Sequence, residues 1–562
     1  MYGITYLWGI INSNIMRNKK IQFDEDGRSK LLSGISKMAG AVKSTLGPMG
    51  NTVLIESESH TRGITVTKDG VTVAKSIKLS DAAEDLAVRI MREASERTAT
   101  QAGDGTTTAI VLAEALVING MEFLGQDGVS RTEALRWMNH MKDSCVKIIE
   151  NKSKDVTEKT LRDVAVISAN NDEGIGGLIA DAFMEVGESG IVTVELSQGS
   201  ETTYSATNGI KVDRGYTSPL FVNNRKKDEC IFEDVYILVS DAEITNILQI
   251  EGILKPIIQE QKRLLIIAPC SANVTNTLAA NVMKNGLKIC SIQPPSFGYK
   301  QHELMEDIAL SVGATYFSEK TGDDLSLISF KDLGMASKII VGRDNTIIIK
   351  DDIEDNAEVG ERVTQLREAL ADTNNVADRK HIENRIASLC GGIGVISVGG
   401  VTDIEQKELY DRVDDAVCAV KSAMEEGILA GGGLILYRMG EDLVNQAINT
   451  TNYAKGRGEE NQSRWISRIA ADYALGYSMM TPMRQIYKNA GKEDLLNKIP
   501  YEGSQTKMWG YGYNVKNDNY GNLIKMGVID PAKVTRCALE NAVSVAATIL
   551  STNAIITFDE EG

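Results

Sequence analysis

The pattern of apolar residues changes twice along this chain, and this change limits the folds that the chain can adopt. Helical spacing predominates towards both ends, at residues 28–46, 81–98, 411–426, 464–489 and 531–551. The middle instead contains short apolar stretches separated by helical patterns, at residues 235–240, 264–268, 287–292 and 313–317. Such a βαβ alternation predicts a parallel sheet covered by helices. We therefore expect a multi-domain chain in which an α/β domain is inserted into a mainly α-helical one.

Length and glycine positions support this nested arrangement. A chain of 562 residues is too long for a single hydrophobic core. Gly209 and the pair Gly391–Gly392 bracket the middle region. We interpret these glycines as hinges at which the chain enters and leaves the inserted domain.

Charge and cysteine usage exclude several classes of protein. The formal net charge of −17 argues against nucleic-acid binding, which requires basic faces. The seven cysteines show no paired metal-ligand spacing and fit a reducing cytoplasm. No apolar stretch is long enough to predict a membrane span. The first fifteen residues lack the basic segment of a secretory signal, so Met16 is an alternative start or the end of an N-terminal arm.

One glycine-rich stretch, "QAGDGTTTAIVLAEAL" at residues 101–116, precedes a predicted helix. Helix N-termini present unpaired amides that bind phosphate, and Gly103 and Gly105 would allow close approach to it. Asp104 would repel bare phosphate but could hold a Mg²⁺ ion that bridges phosphate oxygens. The alternative is a structural one, in which Asp104 or a threonine caps the helix and the glycines shape the turn.

Other nucleotide and hydrolase motifs are missing from the sequence. It contains no GxxxxGK[ST], HExxH or GxSxG pattern, and its four histidines are isolated. Hydrolysis would therefore depend on carboxylates and a metal. Three turns have a composition similar to that of the phosphate-binding candidate: "TLGPMG" (45–50), "TKDG" (67–70) and "EEGILAGGGLILY" (425–437).

Taken in order, these blocks resemble the group I chaperonins, the GroEL-like family. The similarity also includes "ISANND", "DRGYTSP", "RVDDA" and "GYNVKNDNYGNLIKMGVIDPAKVTR", and extends from about Met16 to Thr552. It implies an equatorial ATPase domain (16–150 and 426–562), an intermediate domain (151–207 and 393–425) and an apical substrate-binding domain (208–392). It also implies seven-membered single or double rings that bind and enclose non-native proteins.

The resemblance further implies an ATP site with Mg²⁺, and K⁺ as an additional candidate ion. Asp104 would hold the metal, while Asp69 and Asp415 would be catalytic and orient the attacking water. Asp415 would reach the nucleotide when the intermediate domain moves; by its residue type alone it is a solvated helix-face acid. The implied nucleotide-binding residues are Thr45, Leu46, Gly47, Pro48, Lys68, Gly70, Asp104, Gly105, Thr106, Thr107, Thr108, Gly432, Asn514 and Asp530. Asp530 precedes Pro531, which also predicts a helix N-cap there.

Client binding and ion pairs follow from the same resemblance. The implied substrate-binding residues are Tyr216, Phe221, Ile250 and Leu254. The implied ion pairs are Asp172 with Arg412 and Arg214 with Asp403.

The chain also departs from the family pattern. Met49 replaces a basic residue, and the expected client groove is made more polar and smaller by Glu251, Asn276, Ala279 and Ala280. These departures favour a divergent member of the family, which we interpret as virus-encoded and located in the host cytoplasm. They do not decide whether a separate co-chaperonin acts as a lid. A second hypothesis is a ring-forming binding or assembly protein with little ATP cycling. A group II chaperonin is disfavoured because no extra apical protrusion is predicted.

Overall fold

The computed structural model describes residues 19–56, 63–187, 191–197, 199–225, 227–350, 357–372, 375–390, 392–454, 462–498 and 509–558. Its helices are α1 (Asp24–Lys43), α2 (Gly70–Ser76), α3 (Ala82–Ala102), α4 (Thr106–Leu124), α5 (Arg131–Lys152), α6 (Glu158–Ser168), α7 (Glu173–Val186), α8 (Glu251–Gln259), α9 (Ala272–Asn285), α10 (Tyr299–Val312), α11 (Ala357–Asp372), α12 (Val376–Cys390), α13 (Asp403–Glu426), α14 (Leu434–Ala454), α15 (Gln462–Met479), α16 (Thr481–Asn489) and α17 (Ala532–Ser551).

The strands fall into one large sheet and several two-stranded ones. They are β1 (Lys19–Phe23), β2 (Val53–Glu56), β3 (Ile64–Thr67), β4 (Ile191–Leu196), β5 (Thr203–Val212), β6 (Cys230–Ser240), β7 (Arg263–Ile267), β8 (Ile289–Ile292), β9 (Tyr316–Phe317), β10 (Gly334–Val341), β11 (Thr346–Lys350), β12 (Gly392–Val398), β13 (Ile428–Ala430), β14 (Tyr511–Asn514), β15 (Asn519–Asn522), β16 (Ile529–Pro531) and β17 (Ala554–Phe558).

The chain divides into two compact units. The first contains the chain up to Ala180, Leu196–Thr202 and everything from Val398 onwards, whereas the second contains Asp181–Glu195 and Thr203–Ser397. The first unit is mainly helical and the second is α/β, which confirms the predicted fold class. The separate intermediate domain stays a prediction.

Helix α4 lies in the core of the first unit. It packs against α1, α3, α15 and α17, and buries an apolar run that includes Ile110, Leu112 and Leu116. Because α4 is buried on most sides, its sequence is apolar nearly throughout. Within the described part of the chain, it is the one helix whose length and composition would allow it to cross a membrane, a test that buried core helices also pass.

Three local predictions in this unit do not match the structure. The glycine after the apolar run at 106–118 predicts a helix end at Gly120, but α4 continues to Leu124; a Cβ at Gly120 would lie 2.4 Å from Leu550 Cδ1, so the glycine permits close helix packing. The alternating residues of "GVTVAKS" predict a strand, but they form helix α2, because Asp69 caps its first turn. The polar stretch 449–464 predicts a loop, but α14 reaches Ala454 and α15 begins at Gln462, while residues 455–461 lie outside the described residues.

The second unit is built on a sheet that joins nine of the described strands in the order β4-β12-β5-β11-β10-β6-β7-β8, with β9 beside β6. Strands β6, β7 and β8 are parallel, as the βαβ pattern predicts. The stretch "SKIIVGRDNTIIIKDD" at 337–352 predicts a hairpin, which β10 and β11 form. Residues of β6, β7 and β8 such as Ile237, Leu265 and Ile289 are fully buried, which explains their continuous apolar runs.

The expected hinge glycines lie inside this sheet and not at the border of the unit. Gly209 pairs with Ile349 within β5, and a Cβ there would lie 2.0 Å from Ile393 Cδ1. Gly392 begins β12, and Gly391 lies outside the described residues. The chain instead passes between the units at residues 180–181, 195–196, 202–203 and 397–398. Close packing therefore explains Gly209 better than hinge motion does.

Candidate functional site

Four aspartates from separate segments of the first unit influence one another electrostatically. Asp69 precedes α2, Asp104 lies between α3 and α4, Asp415 lies on α13 and Asp530 lies in β16. All four are half-buried. Among the described residues, no lysine, arginine or histidine forms an ion pair with any of them. The structure thus collects negative charge that no described side chain neutralises.

Burial and mutual repulsion raise the pKa of three of these carboxyl groups. Desolvation raises the pKa of Asp415 well above its usual value, and the charges of Asp69 and Asp104 raise it further. The pKa of Asp104 is raised mainly by desolvation, with a contribution from Asp69. Desolvation raises the pKa of Asp530 to about 6, with Asp104 adding to the shift. A cation at this position would relieve the repulsion.

The carboxylates fit part of a magnesium shell. Within the described residues, no three histidine, cysteine, aspartate or glutamate side chains converge closely enough to hold a metal by themselves. Mg²⁺ usually binds one or two carboxylates and takes its remaining ligands from water and substrate phosphates. Asp104 could therefore supply one of the protein ligands of a Mg²⁺ ion whose other ligands come from water and phosphate.

The start of α4 carries no side-chain cap. Its N-cap residue is Gly105, with φ 82°, so the alternative in which Asp104 or a threonine caps the helix is wrong. The Asp104 carboxylate instead accepts from the Gly105 amide. The first-turn amides of Thr106–Thr108 are therefore left without a side-chain acceptor, as an anion-binding helix end requires.

Close packing explains the glycines at this turn. A Cβ at Gly103, which has φ 72°, would lie 2.2 Å from Cys418 Cβ on α13. A Cβ at Gly105 would lie 2.5 Å from Val534 Cγ1 on α17. Ser422 also donates to the Ala102 carbonyl at 2.8 Å. The turn is thus fixed between α13 and α17.

Asp69 is held beside α4 by its role as a cap. Its Oδ1 accepts from the Val71 amide at 3.0 Å and its Oδ2 from the Thr72 amide at 2.7 Å. A Cβ at Gly70 would lie 2.1 Å from Thr107 Oγ1, so α2 begins directly against α4. Lys68 is exposed. The structure therefore brings the "TKDG" and "GDGTTT" segments together.

The "TLGPMG" segment forms a tight turn after α1. Thr45 is buried and donates to the Val42 carbonyl at 2.8 Å, while Leu46 is half-buried. Gly47, with φ 86°, and Pro48 are exposed. A Cβ at Gly50 would lie 2.0 Å from the Thr45 carbonyl oxygen. The turn therefore exposes mainly backbone.

Asp530 and Gly432 lie together. Asp530 pairs with Leu429 between β16 and β13, and its carboxylate accepts from the amides of Gly433, at 3.2 Å, and Gly432. The predicted N-cap role of Asp530 is wrong, because the N-cap position of α17 is Pro531. Asn514 is buried in β14, where its Oδ1 accepts from the Lys516 amide at 2.9 Å and shapes the turn to β15.

The predicted ion pairs differ in outcome. Asp172 and Arg412 approach to 3.8 Å, although Arg412 also binds Glu408 on its own helix. Arg214 donates to the Pro294 carbonyl at 3.1 Å in the second unit. Asp403 begins α13 in the first unit, so its pairing with Arg214 stays a prediction.

The predicted client-binding side chains are mostly in the core of the second unit. Phe221 and Ile250 are 1% exposed, because the 3₁₀ turns Pro219–Phe221 and Ile247–Ile250 direct them inward, and Leu254 on the buried face of α8 is 7% exposed. The Tyr216 hydroxyl donates to Asp228 at 2.8 Å. These residues therefore do not form an exposed groove. The exposed apolar side chains of this unit include Leu220, Leu248, Met283 and Leu327.

Sequence reasoning missed one charged pair beside the site. Lys43 Nζ contacts both carboxylate oxygens of Glu114, at 2.9 and 3.0 Å, and so joins the end of α1 to the middle of α4. Glu114 is 4% exposed. The signal was a lone acid in the apolar run "AIVLAEAL", which in a buried helix requires a partner.

Three features together define a chaperonin-like architecture. Both ends of the chain build a helical unit, and an α/β unit is inserted between them. The helical unit also carries the acidic cluster, which consists of Asp69, Asp104, Asp415 and Asp530. The sequence profile of the TCP-1/cpn60 chaperonin family matches residues 38–560, and the chain belongs to this family.

Solved structures with the same fold include the chaperonin gp146 from the bacteriophage EL 2 (Pseudomonas aeruginosa), crystallised in the presence of ATP-BeFx. One crystal form aligns with a TM-score of 0.68 and 22% identity, covering 96% of this chain and 99% of that one. A second form gives a TM-score of 0.62 with the same identity and coverage.

Proposed function

We propose that the protein is an ATP-dependent chaperonin that hydrolyses Mg-ATP at the acidic cluster and uses this reaction to bind, enclose and release non-native proteins. The observation that carries the proposal is the group of half-buried aspartates without a described cationic partner beside the uncapped start of α4. Family membership supports the chaperonin assignment.

The residues of the site divide into binding and catalytic groups. The amides of Thr106–Thr108 and the backbone of Thr45–Pro48 would bind phosphate oxygens, and Asp104 would hold Mg²⁺. Bound Mg²⁺ would neutralise charge that develops on the phosphates. K⁺ is a further candidate ion. Gly432, Asn514 and Asp530 would bind the base and ribose.

Asp69 and Asp415 would act on the attacking water. A carboxylate accepts a hydrogen bond from water and then its proton, and it does so best when its pKa lies near the working pH. Asp415 has a raised pKa, which suits a proton acceptor. Asp69 is fixed by its two amide hydrogen bonds and would orient the water.

The proposal includes assembly and location. We propose a homo-oligomeric ring of seven subunits, single or double, acting in the cytoplasm on non-native client proteins. A lid co-chaperonin is not part of the proposal.

An ATPase assay with variants of α13 tests the proposal. Replacing Asp415 with Asn should lower kcat by about 100-fold, the usual loss on removing a general base, while nucleotide still binds. Glu405→Gln, which replaces an exposed acid near the start of the same helix, is the matched control and should stay within about twofold of the wild type. A wild-type protein without Mg²⁺-dependent ATP turnover would overturn the proposal.

A second candidate is a ring-forming binding or assembly protein with little productive ATP cycling. The burial of Phe221, Ile250 and Leu254 favours it, since it removes three side chains expected to capture clients. Equal refolding yields with and without ATP would support this candidate over the first.

A further inference from the structure

We propose that Asn489, the last residue of α16, positions the Thr45–Gly50 turn for nucleotide binding. This inference rests on the proposed function, because the turn is one of the proposed phosphate-binding segments. Asn489 would act through the backbone of the turn, so it is a positioning residue and not a catalytic one.

The carboxamide of Asn489 satisfies the end of α1. The last carbonyl groups of a helix lack partners within the helix. Asn489 Nδ2 donates to the carbonyl oxygens of Lys43 at 2.9 Å and Leu46 at 2.8 Å, and lies 3.5 Å from that of Ser44. These acceptors flank the start of the turn. One side-chain amide thus holds both sides of the point where α1 becomes the turn.

A second hydrogen bond fixes the orientation of this amide. Gln485 Nε2 donates to Asn489 Oδ1 at 2.7 Å, one helical turn earlier on α16. With its oxygen occupied by Gln485, the amide directs its two N–H groups towards the carbonyl groups of the turn.

The same face of α16 also limits the position of the turn sterically. Ile486, three residues before Asn489, lies where a Cβ on Gly47 would be 3.1 Å from its Cγ1. Gly47 has φ 86°, so it reaches this position at little conformational cost. The turn is therefore held by a polar and an apolar contact from one helix.

Helix α16 and the residues after it also contact two other elements that carry proposed nucleotide-binding residues, α4 and β14. The helix packs against α4, and the Tyr487 hydroxyl donates to the Tyr513 carbonyl at 3.3 Å. Lys492 Nζ donates to the Val515 carbonyl at 2.9 Å, beside Asn514. Because the turn would contact phosphate through its backbone, no side chain can compensate for a displaced main chain. Asn489 supplies the side-chain hydrogen bonds from α16 that hold this main chain.

The isosteric variant Asn489→Asp tests the inference. It removes both N–H donors and places a carboxylate against two carbonyl oxygens. The amides of Leu46, Gly50 and Asn51 are hydrogen-bonded to carbonyl groups in the turn or directly before it. In nucleotide-free protein, these amides should exchange with solvent about tenfold faster, as loss of a hydrogen bond predicts. KM for ATP and Kd for ADP should rise about tenfold, with kcat within about threefold.

The matched control is Asn119→Asp. Asn119 is also half-buried in the first unit, and its Nδ2 donates to Ser478 Oγ at 2.9 Å, but it lies near the other end of α4. This variant should lose stability without changing exchange in the turn or KM. Gln485→Ala, which leaves the Asn489 donors in place, should give smaller changes in the same direction.

The outcomes separate this inference from the proposed function. An unchanged KM and unchanged exchange of the turn in Asn489→Asp would overturn the positioning role. If that variant does not fold, the same null result in Gln485→Ala would overturn it. A wild type that does not bind ADP would overturn the proposed function instead, and the exchange measurement would still report whether Asn489 holds the turn.

Discussion

At the scale of single residues, the proposed chemistry of the site depends on carboxyl groups whose pKa values are raised. Asp104 and Asp415 have raised pKa values because each loses water and faces other negative charges. A cation lowers such pKa values, so the proposed binding of Mg-nucleotide would be coupled to release of protons.

We therefore expect Mg-ADP binding to release protons, most strongly at pH values below the raised pKa values, and its affinity to increase with pH. Calorimetric titrations in buffers of different ionisation enthalpy measure the number released. Asp415→Asn should reduce that number, whereas Glu405→Gln should not. A binding heat that is independent of the buffer would contradict this expectation.

The Lys43–Glu114 pair gives a second prediction at this scale. Desolvation raises the pKa of Glu114 despite the lysine, so the acid depends on its partner to remain charged. Lys43→Met should lower the free energy of unfolding by about 3 kcal/mol at pH 8, the usual cost of leaving a buried charge unpaired. The loss should shrink towards pH 5, because a proton can then neutralise Glu114.

Urea unfolding at both pH values measures this effect. Lys37→Met is the control: Lys37 pairs with Glu84 but its side chain is 54% exposed, so its replacement should have little effect. If Lys43→Met and Lys37→Met lowered the free energy of unfolding equally, burial of Glu114 would not be the cause of the loss.

At the scale of elements, the sequence predicted long elements better than their ends. The apolar spacing of residues 531–551 matches α17, and the runs in the middle match β6, β7 and β8. "GVTVAKS" was predicted as a strand because its β-branched residues alternate, but the Asp69 cap starts a helix there. Local patterns compete with such capping, and sequence spacing alone cannot decide between them.

The site was predictable only in parts. The "GDGTTT" segment indicated a phosphate site from its own residues, whereas Asp415 and Asp530 were assigned through family resemblance. Asp415 and Asp530 come close to the "GDGTTT" segment only through contacts between parts of the chain that are hundreds of residues apart in sequence. Asn489 gave no sequence signal at all, because its partners are backbone carbonyl groups of a distant turn.

The packing of α15 against α5 gives a prediction at this scale. Asp472 on α15 is 4% exposed and accepts from Trp137 Nε1 on α5 at 2.8 Å. Desolvation raises its pKa to about 6. The folded state therefore binds a proton that the unfolded state has already lost, and stability falls as the pH rises from about 4 to about 6.

Asp472→Asn keeps an acceptor for Trp137 and removes this titration. Relative to the wild type, the variant should gain up to about 3 kcal/mol in the free energy of unfolding between pH 4 and pH 7. Denaturant unfolding across this pH range measures the difference. Asp143→Asn, whose carboxylate on α5 is 62% exposed, is the control and should show no such trend. Parallel pH profiles for the wild type and Asp472→Asn would contradict the prediction.

At the scale of the whole molecule, the two units are connected because the segments of one are inserted into the sequence of the other. Both ends of the sequence build the helical unit that carries the candidate site, and the α/β unit is inserted between residues of that unit. The change in the spacing of apolar residues predicted this nesting, because the helical segments and the βαβ segments are expected to form separate cores. Ring formation cannot be read from one chain, since it depends on surfaces that only a second subunit would cover.

The second unit nevertheless presents a surface suited to non-native protein. Leu248 is 62% exposed and Leu327 is 77% exposed, and they lie on contacting 3₁₀ turns, Ile247–Ile250 and Leu325–Leu327. Unfolded chains expose apolar side chains, and their burial contributes about 25 cal/mol per Å². These two leucines, in place of the buried Phe221 and Ile250, are the side chains we expect to contact clients.

Leu248→Glu combined with Leu327→Glu should therefore weaken capture of a chemically unfolded test protein at least about tenfold, since the loss of two apolar contacts exceeds 1.4 kcal/mol. ATP hydrolysis should stay unchanged, because both residues lie outside the unit that carries the aspartates. Asn273→Glu adds one such negative charge at an exposed polar position of the second unit and should leave capture intact. Suppression of light scattering by the aggregating test protein measures capture. Equal suppression by the double variant and the wild type would exclude this surface, and a loss in Asn273→Glu as well would show that added charge, and not lost apolar area, is responsible.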